Sequence, residues 1–124
     1  MATILIADDE DTVRKTLKLL LEDAGHSVLL ARDGLMAVEI VKLQAVDVMF
    51  CDIIMPEKEG IQTIAEVRRL CPQTKIIAIS GGGRTQNFDY LQMAEKVGAT
   101  KALRKPFNKK ELLEALNGCL NQGH

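Results

Sequence analysis

"VMFCDIIMP", residues 48–56, sets a single carboxylate, Asp52, inside an otherwise apolar run. A run this short and this apolar is the pattern of a strand buried on both faces, and the reading places that strand at "DVMFC", 47–51. Four more segments share the pattern: "TILIA" (3–7), "SVLLA" (27–31), "KIIAIS" (75–80) and "KALR" (101–104). Helical patterns alternate with them. The first carries Val13, Leu17, Leu20, Leu21 and Ala24 on one face and stops at Gly25; the others span 34–44, 59–70, 87–97 and 108–120. Cys71-Pro72 closes the third and Gly98 the fourth. Strands apolar on both faces need helices on both faces, and right-handed crossovers then give an α/β fold: a doubly wound, five-stranded parallel sheet in three layers.

The chain has 124 residues, 47% hydrophobic and 27% charged, enough for one core, and residues 1–124 are expected to form a single domain with no output domain. With a net charge of -1 and no basic tract, direct nucleic-acid binding is not expected. The apolar runs are too short for a membrane span and "MATILIADDE" lacks a signal-peptide pattern, so a cytoplasmic protein is expected. Cys51, Cys71 and Cys119 form no CxxC pair, and with His26 and His124 they complete no zinc pattern.

The polar exceptions fall at one edge. Asp8 and Asp9 follow the first strand, Asp52 the third, Ser80 ends the fourth and Lys105 follows the fifth. Each is a carboxyl end of a parallel strand, where open sheets of this kind hold ligands. Singly, each is also an ordinary turn residue. Together they describe a chemistry: converging carboxylates repel unless a proton or cation compensates, and an oxygen-only cluster suits magnesium. An ammonium and a hydroxyl beside it complete a set able to stabilise a phosphoryl group in transfer, and aspartate can itself be the nucleophile.

At these residues the chain resembles the receiver domain of bacterial two-component response regulators. "ADDE" (7–10), "CDIIMPEKEG" (51–60), "ISGG" (79–82) and "KPF" (105–107) carry the resemblance, in order and spacing, over essentially the whole chain. It implies a flavodoxin-like sheet of order 2-1-3-4-5 with five helices. It also implies that Asp52 is the phosphoacceptor, that Asp9, Asp52 and the backbone carbonyl of Ile54 bind Mg2+ directly, and that Asp8 acts nearby. Ser80 and Lys105 would bind phosphoryl oxygens, the Lys105-Pro106 bond would be cis, and Pro56 and Gly60 would shape the loop after the acceptor. The implied partners are a histidine kinase or histidine phosphotransfer protein and an unknown downstream protein, with the chain a monomer or weak dimer. Such a domain assists its own phosphorylation and dephosphorylation rather than acting as an enzyme.

Two departures from the family pattern stand out. Ala102 occupies the position where receivers commonly carry an aromatic switch residue, and "SGGGRT" (80–85) puts three glycines after the fourth strand. The glycine run does not match a P-loop and reads as a mobile switch loop. Leu19 projects off the core stripe of the first helix and is a candidate contact for the phosphodonor. On the fourth helix the apolar arc of Tyr90, Leu91, Met93, Ala94 and Val97, with Phe88 beside it, is a second candidate surface. Competing functions are a phosphorelay intermediate or phosphate sink, a phosphohydrolase using the Asp9 and Asp11 pair, and a flavin module. The last is disfavoured by the lack of Trp and of a hydroxyl-rich loop after the first strand.

Overall fold

The computed structural model describes residues 1–53, 60–81 and 87–121, with 87–91 described by backbone alone. Strands and helices alternate: β1 Thr3–Ala7, α1 Asp11–Asp23, β2 Ser27–Ala31, α2 Gly34–Leu43, β3 Val48–Asp52, α3 Gly60–Leu70, β4 Lys75–Ser80, α4 Asn87–Val97, β5 Lys101–Arg104 and α5 Lys109–Leu120. The five strands pair in parallel in the order β2-β1-β3-β4-β5, so both the fold class and the strand order are as expected.

Period-two alternation divides the core. Leu5, Ala7, Met49, Cys51, Ile76 and Ala78 point to one face, where Ala37, Val38, Val41, Ile64, Val67 and Ala94 of α2, α3 and α4 cover them. Their chain neighbours Ile4, Ile6, Val48, Phe50, Ile77 and Ile79 point to the other face, against Leu17 and Leu21 of α1 and Leu112, Leu116 and Cys119 of α5. That is why β1, β3 and β4 read as unbroken apolar runs. β2 and β5 sit at the sheet edges and are mostly half-buried.

Several boundaries differ from the expectation, each for a local reason. The third strand runs one residue later, 48–52: Asp52 pairs with Ile79, and the Ile53 N–H donates to the Ile79 carbonyl at 2.9 Å. Asp47 instead turns its side chain to the start of β1, where its Oδ2 accepts from Thr3 N–H at 2.8 Å. Ala24 is exposed rather than part of the buried stripe, because it is the C-cap of α1, and Gly25 follows with φ 96. Gln44 is likewise an extended C-cap outside α2. Asn108 is the N-cap of α5, its side chain accepting from Glu111 N–H while the Glu111 carboxylate accepts from Asn108 N–H, a reciprocal capping box. Arg68 ties the ends of two helices together by donating to the carbonyls of Pro72 at 2.7 Å and Gly98 at 2.9 Å.

Among the described residues no helix is long and apolar enough to cross a membrane.

Candidate functional site

β1 and β3 are neighbours, with Ala7 paired to Cys51, so the residues that follow this pair share one rim of the sheet. Asp8, Asp9 and Asp52 meet there, each offering a carboxylate oxygen within 4.8 Å of the others. Asp8 is fully buried, Asp52 buried, and Asp9 exposed. Asp8 is satisfied from two sides: its Oδ1 accepts from Glu10 N–H at 2.9 Å and its Oδ2 from Lys105 Nζ at 3.1 Å.

Lys105 arrives from the far side of the sheet. Its backbone N–H donates to the Ser80 carbonyl at 2.8 Å, extending the β4–β5 ladder, and the Lys105-Pro106 bond is cis as expected. The ammonium lies 3.1 Å from Asp8, 3.3 Å from Glu10 and 3.6 Å from Asp52. Burial would lower its pKa, but Asp52, Asp8 and Glu10 more than offset this and hold it above its ordinary value. Lys105 is therefore a fixed cation at neutral pH, and it compensates carboxylates that would otherwise repel one another.

Ser80, at the end of β4, is buried at the same rim, and its hydroxyl donates to the Gly81 carbonyl at 3.3 Å. The thiol of Cys51, directly before Asp52, is pushed far up by burial and by the carboxylates of Asp52 and Asp8. It stays protonated and offers no competing nucleophile. Ala102 packs partly buried against the α2, α3 and α4 face of the core, a small side chain at the position where the family pattern commonly has an aromatic one.

Two contributors went unassigned in the sequence. Glu10 is the third carboxylate on Lys105. Arg14 donates from Nη1 to the Asp8 carbonyl at 2.7 Å and pairs with Asp11, bracing the turn that carries the acidic residues. Gly60 has a role beyond shaping a loop. A Cβ there would lie 2.2 Å from the Asp52 carbonyl oxygen, so α3 approaches the strand end more closely than any side chain allows.

Ile54, Pro56, Gly82, Gly83, Arg84, Thr85 and His124 lie outside the described residues, as do the side chains of Phe88, Tyr90 and Leu91. On the rest of the expected α4 arc, Ala94 is buried and Val97 half-buried, but Met93 is half exposed. Leu19 is exposed, as expected. A groove of about 290 Å³ beside Lys105 is lined by Thr12, Val13, Thr16, Leu17, Pro106 and Phe107. A larger cavity, about 550 Å³, opens at the opposite rim between the ends of α2 and α3, remote from the carboxylates.

An oxygen-only donor set of three carboxylates fits a hard divalent cation such as magnesium better than zinc or copper. With an ammonium beside it, the set suits a dianionic, oxygen-rich group such as phosphoryl.

Residues 4–117 match the model of the response regulator receiver domain. The transcriptional regulatory protein CpxR of Klebsiella pneumoniae is 35% identical over 124 residues, all of this chain and 51% of that protein, so the chain spans about half the length of this relative. The chemotaxis protein CheY of Bacillus subtilis is 36% identical over 120 residues, 95% of this chain and 97% of that protein. Among solved structures, a response regulator receiver domain protein from Clostridium thermocellum superposes with a TM-score of 0.90 at 32% identity, covering 98% of this chain and 96% of its own.

Proposed function

The chain belongs to the response regulator receiver domain family of two-component signal transduction, and from that premise we propose that Asp52 accepts a phosphoryl group from a histidine donor. The observation that carries this reading is convergence: carboxylates from the ends of β1 and β3 and the ammonium that follows β5 meet at one rim. In the transfer, an Asp52 oxygen bonds phosphorus as the bond from phosphorus to the donor nitrogen breaks. The donor imidazole leaves with that electron pair and takes a proton.

Lys105 offsets charge on the phosphoryl oxygens, and Ser80 offers a hydroxyl donor from the end of β4. Asp9, Asp52 and the Ile54 carbonyl would hold magnesium, with Asp8 beside them, and the ion when bound supplies a fixed dication against the negative charge of the transferred group. The domain acts as a phosphoacceptor that signals to a protein partner rather than as an enzyme with a turned-over substrate, and residues 1–124 work as one receiver domain in the cytoplasm. Exposed Leu19 and the groove between α1 and Phe107 favour the α1 side for docking the donor.

With magnesium and acetyl phosphate, one hydroxylamine-labile phosphoryl group per chain is expected, and none in Asp52→Asn. Equal labelling of the two proteins would overturn the reading. Leu19→Asp should slow transfer from a histidine donor and leave labelling by acetyl phosphate unchanged; unchanged transfer from both would exclude the α1 docking side.

A further inference from the structure

Glu10 stands at the N-cap of α1, where a short side-chain oxygen normally closes on the first free backbone N–H groups. Its side chain makes no such bond. It reaches across the rim instead, accepting from Lys105 Nζ at 3.3 Å, although its side chain is 62% exposed. Three carboxylates thus share one ammonium, and Asp52, at 3.6 Å, is the most distant of them.

The two nearer partners differ in kind. Asp8 is fully buried and anchored through its other oxygen. Glu10 is largely solvated and is the partner better placed to release Lys105.

Resting on the phosphoacceptor reading above, we propose that Glu10 is a positioning residue that draws the Lys105 ammonium outward from Asp52 and so restrains phosphoryl transfer. Its carboxylate takes a share of the ammonium's field and adds negative charge where an anionic donor enters. Both effects weaken with distance and with salt. The bond changes are those of any acyl phosphate donor. An Asp52 oxygen bonds phosphorus, the phosphorus–oxygen bond of acetyl phosphate breaks, and acetate leaves with the electron pair.

The test is the rate of Asp52 labelling by acetyl phosphate with magnesium in the wild type, Glu10→Gln and Glu10→Asp. At about 50 mM salt, Glu10→Gln should be labelled about threefold faster, and the ratio should approach one near 0.5 M. Glu10→Asp keeps the charge but falls one methylene short of Lys105. It should label faster than wild type but more slowly than Glu10→Gln, since the charge at the rim remains, and should melt at a higher temperature, because Asp caps α1. A wild-type rate in Glu10→Gln at low salt would overturn the proposal. So would a wild-type rate in Glu10→Asp, since the charge alone would then suffice. Unlabelled wild-type protein would refute the phosphoacceptor reading and this inference with it, whereas labelled wild type with no faster variant refutes the role of Glu10 alone.

Discussion

Gly60→Ala should damage fold and site together. A Cβ at Gly60 would sit 2.2 Å from the Asp52 carbonyl oxygen, 2.5 Å from Ile53 Cα and 2.6 Å from the Ile53 carbonyl oxygen. All three are backbone atoms, so no side chain can swing aside. The φ of Gly60 lies outside the left-handed region, and the cost is therefore steric rather than conformational. Relief requires α3 to move off the end of β3, which stretches the bond from Gly60 N–H to the Ile53 carbonyl, now 2.7 Å. Overpacking costs about 1–3 kcal/mol and a weakened hydrogen bond about 1 more, so a loss of roughly 2–4 kcal/mol is expected. In a urea titration this appears as a midpoint lowered by roughly 1–2 M with little change in slope. Because the displaced atoms belong to Asp52 and Ile53, labelling by acetyl phosphate should fall even where the variant is fully folded. A variant within about 0.5 kcal/mol of wild type would refute the close-approach argument.

Asn108→Ala removes one half of the α5 capping box and should cost about 1 kcal/mol in urea unfolding, with Asn108→Ser close to wild type; equal loss in both would point away from capping. The His26 imidazole accepts from Ala2 N–H at 3.1 Å through Nδ1, and burial, then the nearby N-terminal charge, holds its pKa below the ordinary 6.5. Its contribution, at most about 1 kcal/mol, should be complete above the unfolded pKa and be lost as pH falls from there through the lower folded value. The stability difference between wild type and His26→Asn should shrink over that window, and a constant difference would contradict the assignment. Lys105→Met leaves Asp8 and Asp52 without their ammonium and should lower stability by about 1–3 kcal/mol at low ionic strength. Added magnesium should raise the melting temperature of this variant more than that of wild type, and an equal rise in both would argue against a shared charge balance.

The sheet was legible because apolar runs at the ends of which charges appear abruptly have few other readings, and Asp8, Asp52 and Lys105 were visible for the same reason. Strand boundaries were less so: Asp47 and Asp52 flank the same apolar run, and only the pairing of Asp52 with Ile79 decides which one the strand includes. Ala24 fits the helical period yet caps the helix, since periodicity does not register where the chain turns out. The role of Glu10 was hidden because its partner lies 95 residues away, and an acidic residue opening a helix already has a sufficient local explanation. Arg14 and Arg68 were hidden likewise, as both act on backbone carbonyls, which no side-chain pattern reveals.

The central claim concerns which carboxylate becomes the acyl phosphate. Borohydride reduction of the protein after treatment with magnesium and acetyl phosphate converts a phosphorylated aspartate to homoserine, and tandem mass spectrometry locates it. Homoserine at residue 52, absent without donor or without magnesium, is the predicted result; homoserine at Asp8 or Asp9 instead would contradict the account.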